Sequence, residues 1–294
     1  MGKEGGSYPN IVFCLGNGQS RLGVDLKKLK QHGKIYGCNA IYRTNPDDID
    51  VLVGVDQGIM HEMYHSGICE KVSTYFRNWS KVPAELYENM IKSGASDEDL
   101  RLAREEGAFY ENDRTGCKEF VMHGQSVAGV ANVVRSEKTK GRKFVQQKSV
   151  KISWLKDGNK SKCLNDVEDF KDKGWAAGPT AAYISCLLEQ PNEVYLLGMD
   201  LNSTTGRVNN IFAGTPNYVL KDHAPTPSVN WVQQLKETFF DFSGKHKSKK
   251  VMFYKVQNSI KGGNEVDRVV REWTDHKGNL EYMTYDDFYK KFGL

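Results

Sequence analysis

Apolar residues in this chain come in short unbroken runs set apart by polar turns. Ile11–Leu15 is the first. It shows no alternation, which is the signature of a strand buried on both faces of a parallel sheet. Lys34–Tyr36 predicts a second strand, Val51–Val55 a third and Val72–Phe76 a fourth. Between them the spacing turns helical. Val24–Gln31 carries Leu26 and Leu29 among lysines, and His61, Met63 and Tyr64 fall on a helix after the third strand. The rhythm then breaks. Residues 81–115 are charged and helix-prone, and glycine, serine and lysine dominate from Phe120 to Lys162. Within that stretch Lys148–Leu155 alternates and predicts a hairpin strand. Regular spacing resumes at Gly174. Gly178-Pro179-Thr180 opens a helix, Glu193–Gly198 is a buried strand, residues 229–242 are an amphipathic helix, and Val251–Val256 is another strand. The last thirty residues, charged and aromatic, predict a helix.

Strand–helix alternation of this kind predicts an α/β fold, a Rossmann-like doubly wound sheet of mostly parallel strands. Residues 1–80 and 170–294 form its nucleotide-binding or catalytic domain, and residues 81–169 an inserted helical lid or hairpin subdomain. Residues 1–10 are a polar, flexible start with no apolar signal segment.

Composition changes little. The chain has 294 residues, 39% hydrophobic and 27% charged, as a globular protein should. Six cysteines form no C-x-x-C pair, which points to reduced, buried thiols and a cytoplasmic location. No apolar run reaches the roughly 18 residues of a membrane helix. The net charge of +4 permits an anionic partner without requiring one.

Candidate chemistry collects just after the strands, where open α/β sheets bind ligands. The first strand runs into Gly16-Asn17-Gly18, with Ser20 placed as a helix N-cap. Strand, glycine turn and helix start predict a phosphate cradle built from backbone N–H groups. The turn is neither a Walker loop, lacking Gly-Lys-Ser/Thr, nor a dinucleotide fingerprint, having Arg21 at the third glycine position. The other strand ends present Asn39, Asp56, Asp200 with Asn202, and Asn258 with Ser259, and Gly178 opens the later helix. Such side chains hydrogen-bond a ribose, a base edge or a phosphate; they also favour turns for their own sake. His223, between Asp222 and Ala224-Pro225, is the candidate general base. His61 and His65 stand at i, i+4 but lack a third metal ligand, and no Asp-x-Asp motif is present, so the expectation is chemistry without a metal or other cofactor.

The order of G-N-G-x-S, G-C-N, a strand ending in Asp, a glycine-opened helix, Y-L-L-G-M-D and a downstream histidine resembles the bacterial CMP-sialic-acid-dependent sialyltransferases of glycosyltransferase family 42. It is also similar to the related domain shared with archaeal hydroxymethylpterin diphosphokinases. The matching blocks are Ile11–Ser20, Tyr36–Tyr42, Ala177–Leu201, His223 and Phe253–Ser259. The resemblance implies a GT-A-like sheet with a small lid and a nucleotide-sugar donor. It places the nucleotide on Asn17, Asn39 and the end of the third strand, and makes His223 the base. The chain departs from the family at Gln19, where proline is usual, and at Asp56, where asparagine is frequent. The two tyrosines expected to hold the leaving phosphate are replaced by residues at or near Asn202 and Arg207–Asn209, with Arg207, Lys221 or Tyr218 as substitutes.

The reading that results is a glycosyltransferase acting on a saccharide hydroxyl, or on a hydroxymethylated base in DNA in view of the Lys138–Lys143 run. The alternatives are a Mg-ATP diphosphokinase-like transferase using Asp56 and Asp200, and a nucleotide- or nucleic-acid-binding protein without catalysis. A homo-oligomer is compatible with either.

Overall fold

The computed structural model describes residues 10–77, 79–83, 108–112, 117–122, 148–152, 160–244, 249–261, 266–267, 269–273 and 278–294. Residues 1–9, where a flexible start was expected, residues 84–107 and 113–115 of the charged stretch and Lys138–Lys143 lie outside the described residues, as do the side chains of His61 and His65.

In chain order the elements are β1 (Ile11–Leu15), α1 (Leu26–Leu29), β2 (Lys34–Cys38), β3 (Val51–Gly54), α2 (Gln57–His65), α3 (Ile68–Lys71) and β4 (Ser73–Phe76). There follow β5 (Trp79–Pro83), β6 (Ala108–Asn112), β7 (Cys117–Met122), β8 (Lys148–Ile152) and β9 (Ser161–Cys163). The chain ends with α4 (Ala177–Glu189), β10 (Glu193–Leu197), α5 (Val229–Asp241), β11 (Met252–Gln257), β12 (Leu280–Thr284) and α6 (Tyr285–Phe292). It divides into two compact units, Met1–Val53 with Lys173–Leu294, and Gly54–Asp172.

The first unit carries the parallel strand order β12-β11-β10-β1-β2-β3. All five residues of β1 are buried, because β1 is paired on both edges and covered on both faces. Phe13 points to one face, where it meets Phe288 and Phe292 of α6 at ring-centroid distances of 6.1 and 5.2 Å. Cys14 points to the other, with its Sγ 3.5 Å from Ser185 Oγ of α4. On that second face Phe239 of α5 packs on Phe253 of β11 at 4.9 Å and on Trp273 at 5.2 Å. Helices on both faces make the sheet doubly wound, as expected. From β1 the chain steps outward to β2 and β3, and it returns on the other side as β10, β11 and β12. The strand order therefore reverses between β1 and β10, the place where such sheets bind ligands.

The second unit pairs β4 with β9 in parallel and holds a four-stranded sheet in the order β5-β8-β7-β6. In that sheet β5–β8 and β6–β7 are antiparallel and β7–β8 is parallel. The described part of the insertion is thus sheet rather than helical lid. Ala108–Asn112 was expected to be helical, but its aromatic pair fits a pleated strand better than a helix. Arg77 grips Asp172 through Nε, which donates to Oδ2 at 2.9 Å and to Oδ1 at 3.1 Å, and through Nη2, which donates to Oδ1 at 3.0 Å.

Two smaller expectations are also revised. Leu280–Thr284 forms the edge strand β12 before the terminal helix begins, so the last segment is strand then helix. Thr284 caps α6 by accepting from Asp287 N at 3.0 Å, which fixes where strand gives way to helix. Ser20 does not cap a helix. It lies inside a single 3-10 turn, Gln19–Arg21, and α1 is capped by Asp25, whose side chain accepts from Lys28 N at 3.0 Å. Cys14, Cys38, Cys69, Cys163 and Cys186 are buried and unbridged. No helix among the described residues is long and apolar enough to cross a membrane.

Candidate functional site

The carboxyl ends of β1 and β10 do not splay apart. Gly16 N donates to Leu197 O at 2.8 Å and Gly18 N to Gly198 O at 2.9 Å, so the two chains keep pairing past their strands. A Cβ on Gly16 would stand 2.3 Å from Gly198 O, and one on Gly18 would stand 2.3 Å from Asp200 Oδ2. Only glycine permits that approach. The next donors are engaged as well: Gln19 N reaches Asn209 Oδ1 at 2.8 Å and Ser20 N reaches Asp200 Oδ2 at 3.0 Å. The expected cradle of open N–H groups at Gly16, Gly18 and Ser20 is therefore corrected. Those groups close the sheet edge instead.

Asp200 is the centre of this closure. Its Oδ1 accepts from Ser20 Oγ at 2.5 Å, and its Oδ2 accepts from Ser20 N and from Asn209 Nδ2, the latter at 3.0 Å. Ser20 Oγ also lies 3.1 Å from the Tyr285 hydroxyl, which accepts from Gly198 N at 3.2 Å. Burial raises the Tyr285 phenol well above its ordinary pKa, so it remains neutral.

Asn17 is buried, and its amide has a fixed orientation. Arg21 Nη2 donates to Asn17 Oδ1 at 3.4 Å, while Asn17 Nδ2 donates to Cys38 O and to the Tyr218 hydroxyl, both at 3.1 Å. The Tyr218 hydroxyl also accepts from Ala40 N at 3.2 Å. Asn39, the residue before Ala40, is half-buried with φ +52°, a left-handed conformation that asparagine tolerates better than most residues. Tyr218 thus reaches the ends of both β1 and β2. Its ring is backed by Arg43, whose guanidinium carbon lies 5.7 Å from the ring centroid and which donates to Thr215 Oγ1 at 2.6 Å and Pro216 O at 2.8 Å.

One short stretch, Val208 to Ile211, ties the histidine loop to this edge. Val208 N donates to His223 O at 2.8 Å, Asn209 bridges Gln19, Asp200 and Asn202 O, and Ile211 N donates to Asn17 O at 2.8 Å. His223 is exposed, and its Nδ1 lies 2.8 Å from Ala224 O. A carbonyl can only accept, so the shared proton belongs to Nδ1, and the neutral ring keeps its lone pair on Nε2.

The remaining expected residues fall into two groups. Asn202 lies at the clamp: its Oδ1 accepts from Ser203 N at 2.8 Å and its carbonyl from Asn209. Gly178 is at the start of α4, where a Cβ would stand 2.9 Å from Met199 Sδ and would push the methionine side chain aside. Next to it Thr180 is fully buried with no hydrogen-bond partner for Oγ1 among the described residues. The others stand apart from the clamp. Arg207 forms a solvent-exposed ion pair with Asp222 at 3.0 Å, of the kind worth about 0–1 kcal/mol. The Lys221 stem lies against Gly214, 2.7 Å from a Cβ built there. Asn258 N donates to Asp267 Oδ1 at 2.8 Å, and Ser259 O accepts from Gln257 Nε2 at 2.8 Å, so these residues close the end of β11. Asp56 belongs to the second unit, where it precedes α2.

Three residues at this edge were not anticipated. Arg21 is only 6% exposed, donates Nε–H to Gly16 O at 2.6 Å, and has no carboxylate in ion-pair contact among the described residues. Its only sequence signal was its unusual place after the serine. Lys255 is 2% exposed on β11 and donates to Gln257 Oε1 at 2.5 Å. Burial draws its ammonium down to about 8, against the opposing pull of Asp200 and Asp267. Tyr285 lies 265 positions from Ser20 and gave no local signal.

No protein-family model matches the chain, and no curated protein sequence matches it. Two solved structures are similar. One is the monofunctional alpha-2,3-sialyltransferase Cst-I from Campylobacter jejuni, at 13% identity and TM-score 0.37, over 84% of this chain and 75% of that one. The other is an alpha-2,3-sialyltransferase from the same organism in apo form, at 13% identity and TM-score 0.33, over 85% of this chain and 76% of that one.

Proposed function

We propose that the protein is a glycosyltransferase that moves a sugar from a nucleotide-activated donor to the hydroxyl of a saccharide acceptor. The observation that carries this reading is the tethering of His223 to the β1–β10 edge through Val208, Asn209 and Ile211, with Nε2 as its lone-pair nitrogen. A base held beside the reversal point of a doubly wound sheet is suited to deprotonating a hydroxyl as it attacks a ligand bound there. The motif order from Ile11–Ser20 to His223 supports the choice of a nucleotide sugar.

In this reading the acceptor O–H gives its proton to His223 Nε2 while its oxygen bonds to the anomeric carbon. The bond from that carbon to the phosphate oxygen breaks, and its electron pair leaves with the nucleotide. Asn17, Asn39 and Asp200 line the donor's side, and the buried Arg21 supplies positive charge there. The imidazolium then returns its proton to water. No metal or other cofactor enters the steps assigned to these residues.

A thermal-shift panel of CMP, CDP, UDP, GDP, ATP and the corresponding nucleotide sugars, with and without Mg²⁺, tests the donor class. Stabilisation by a cytidine or another sugar-carrying nucleotide in the absence of metal is the expected result. Stabilisation by ATP alone, and only with Mg²⁺, would replace this reading with phosphoryl transfer.

A further inference from the structure

Two facts at the β1–β2 edge fit together poorly in a protein that binds nothing. The first is Arg21, a guanidinium 6% exposed whose hydrogen-bond partners among the described residues are a carbonyl and an amide oxygen rather than a carboxylate. Burial pulls its pKa below the ordinary arginine value, with Asp200 a weaker opposing influence. It nevertheless remains charged, as arginine does in proteins. Asp200 is itself occupied by Ser20 and Asn209. A buried cation without a paired anion is costly, and a bound anion removes that cost.

The second fact is the position of the Tyr218 oxygen. It accepts from two donors of different origin, the Asn17 side chain at 3.1 Å and the Ala40 backbone at 3.2 Å. Arg21 orients the first of these by holding Asn17 Oδ1, which turns Nδ2 toward Cys38 O and the phenol. Tyr218 is also among the groups within electrostatic reach of the guanidinium. A neutral phenol oxygen therefore fills a place framed by two N–H donors and a nearby buried positive charge. That charge complements an oxygen bearing negative charge better than it complements a phenol.

We infer that the Tyr218 hydroxyl is a built-in stand-in for a phosphoryl oxygen: it occupies the Asn17–Ala40 subsite in the free protein and is displaced when the phosphate of the ligand enters. This rests on the nucleotide reading above for the source of the phosphate, and the subsite itself requires only phosphoryl oxygen. Tyr218 is then a competitor for the site and not a catalytic residue. The strap that carries it, Thr215 to Tyr218, is held from outside by Arg43, whose bonds to Thr215 and Pro216 do not involve the subsite. Displacement moves the phenol away from Asn17 and Ala40 while the strap stays in place.

Opposite signs separate the two roles for Tyr218. Isothermal titrations at low salt compare wild type with Tyr218→Phe, using the four nucleoside monophosphates, the matching nucleosides and inorganic pyrophosphate. Removing the competing oxygen is expected to tighten the phosphate-bearing ligands by roughly three- to tenfold, the worth of about one hydrogen bond, and to leave nucleosides unchanged. Arg21→Gln in the Tyr218→Phe background should abolish that gain, and in the ligand-free Tyr218→Phe protein the Ala40 amide should exchange faster with solvent. Weaker or unchanged binding of monophosphates and pyrophosphate by Tyr218→Phe overturns the inference, as does equal tightening of nucleosides. If monophosphates bind wild type and variant alike, the inference falls and the nucleotide reading stands. If pyrophosphate tightens while no nucleotide binds either protein, the subsite stands and the nucleotide reading falls.

Discussion

An imidazole acts as a base only at the nitrogen whose lone pair is exposed. In His223 the Nδ1 proton is committed to Ala224 O, so Nε2 is the competent atom. His223→Ala should lower kcat by roughly 10²- to 10⁴-fold while leaving nucleotide affinity within error, since no donor contact is lost. Unchanged turnover would remove His223 from the reaction. Lys255 makes a different kind of prediction. Its ammonium titrates at about 8 in the folded protein, below the ordinary lysine value of 10.5. Between those values the unfolded chain binds the proton and the folded chain does not, so stability rises with pH across the window from about 8 to about 10. Below it both states are protonated and the full cost of the buried charge is present. Buried Cys14, Cys186 and Tyr285, whose pKa values burial raises, pull the other way over the same range, so the Lys255 contribution is read as a difference. In urea unfolding the change of stability with pH should be more positive in wild type than in Lys255→Met, and identical slopes for the two proteins would assign the dependence elsewhere.

At the scale of elements, the close approach of β1 to β10 makes the glycine turn a matter of packing. Gly18→Ala sets a Cβ against the Asp200 carboxylate, which is itself held by Ser20 and Asn209. The expected cost is about 1–3 kcal/mol, read as a lower urea midpoint with an unchanged m-value. A neutral Gly18→Ala would mean that the clamp yields freely. Asn209→Ala tests the same clamp from the loop side. It removes the bonds to Gln19, Asp200 and Asn202, and it should raise KM and lower kcat together, because the loop bearing His223 loses its tether. The strands of this sheet were legible in the sequence because burial on both faces leaves unbroken apolar runs, as in Ile11–Leu15 and Glu193–Leu197. The partnerships between strand ends were not. Ser20 looks like a cap when only its neighbours are known, and its true acceptor, Asp200, is 180 residues away. Similarly Leu280–Thr284 lies on the sheet edge, where half-exposed positions weaken the pattern that marks an interior strand.

For the molecule as a whole, every residue linked in the clamp or in the Tyr218 subsite belongs to the unit formed by Met1–Val53 and Lys173–Leu294. That unit is discontinuous in sequence, so its site could be read only as separate strand ends, each explicable as an ordinary turn. Arg21 shows why the set was hard to weigh: its importance comes from being buried without an acid, a property that no local pattern encodes. The same discontinuity makes a global prediction. A ligand that binds the folded first unit stabilises it by RT ln(1 + [L]/Kd), about 2.7 kcal/mol at a hundredfold excess over Kd. The amides of β1 are paired with β10 and β2 and fully enclosed, so they exchange with solvent through the largest unfolding event available to their unit. Saturating nucleotide should therefore slow exchange at Val12–Leu15 by up to roughly 100-fold under conditions where exchange tracks stability. Protection confined to β4 and β9 of the second unit, with β1 unaffected, would move the ligand away from the β1–β10 edge.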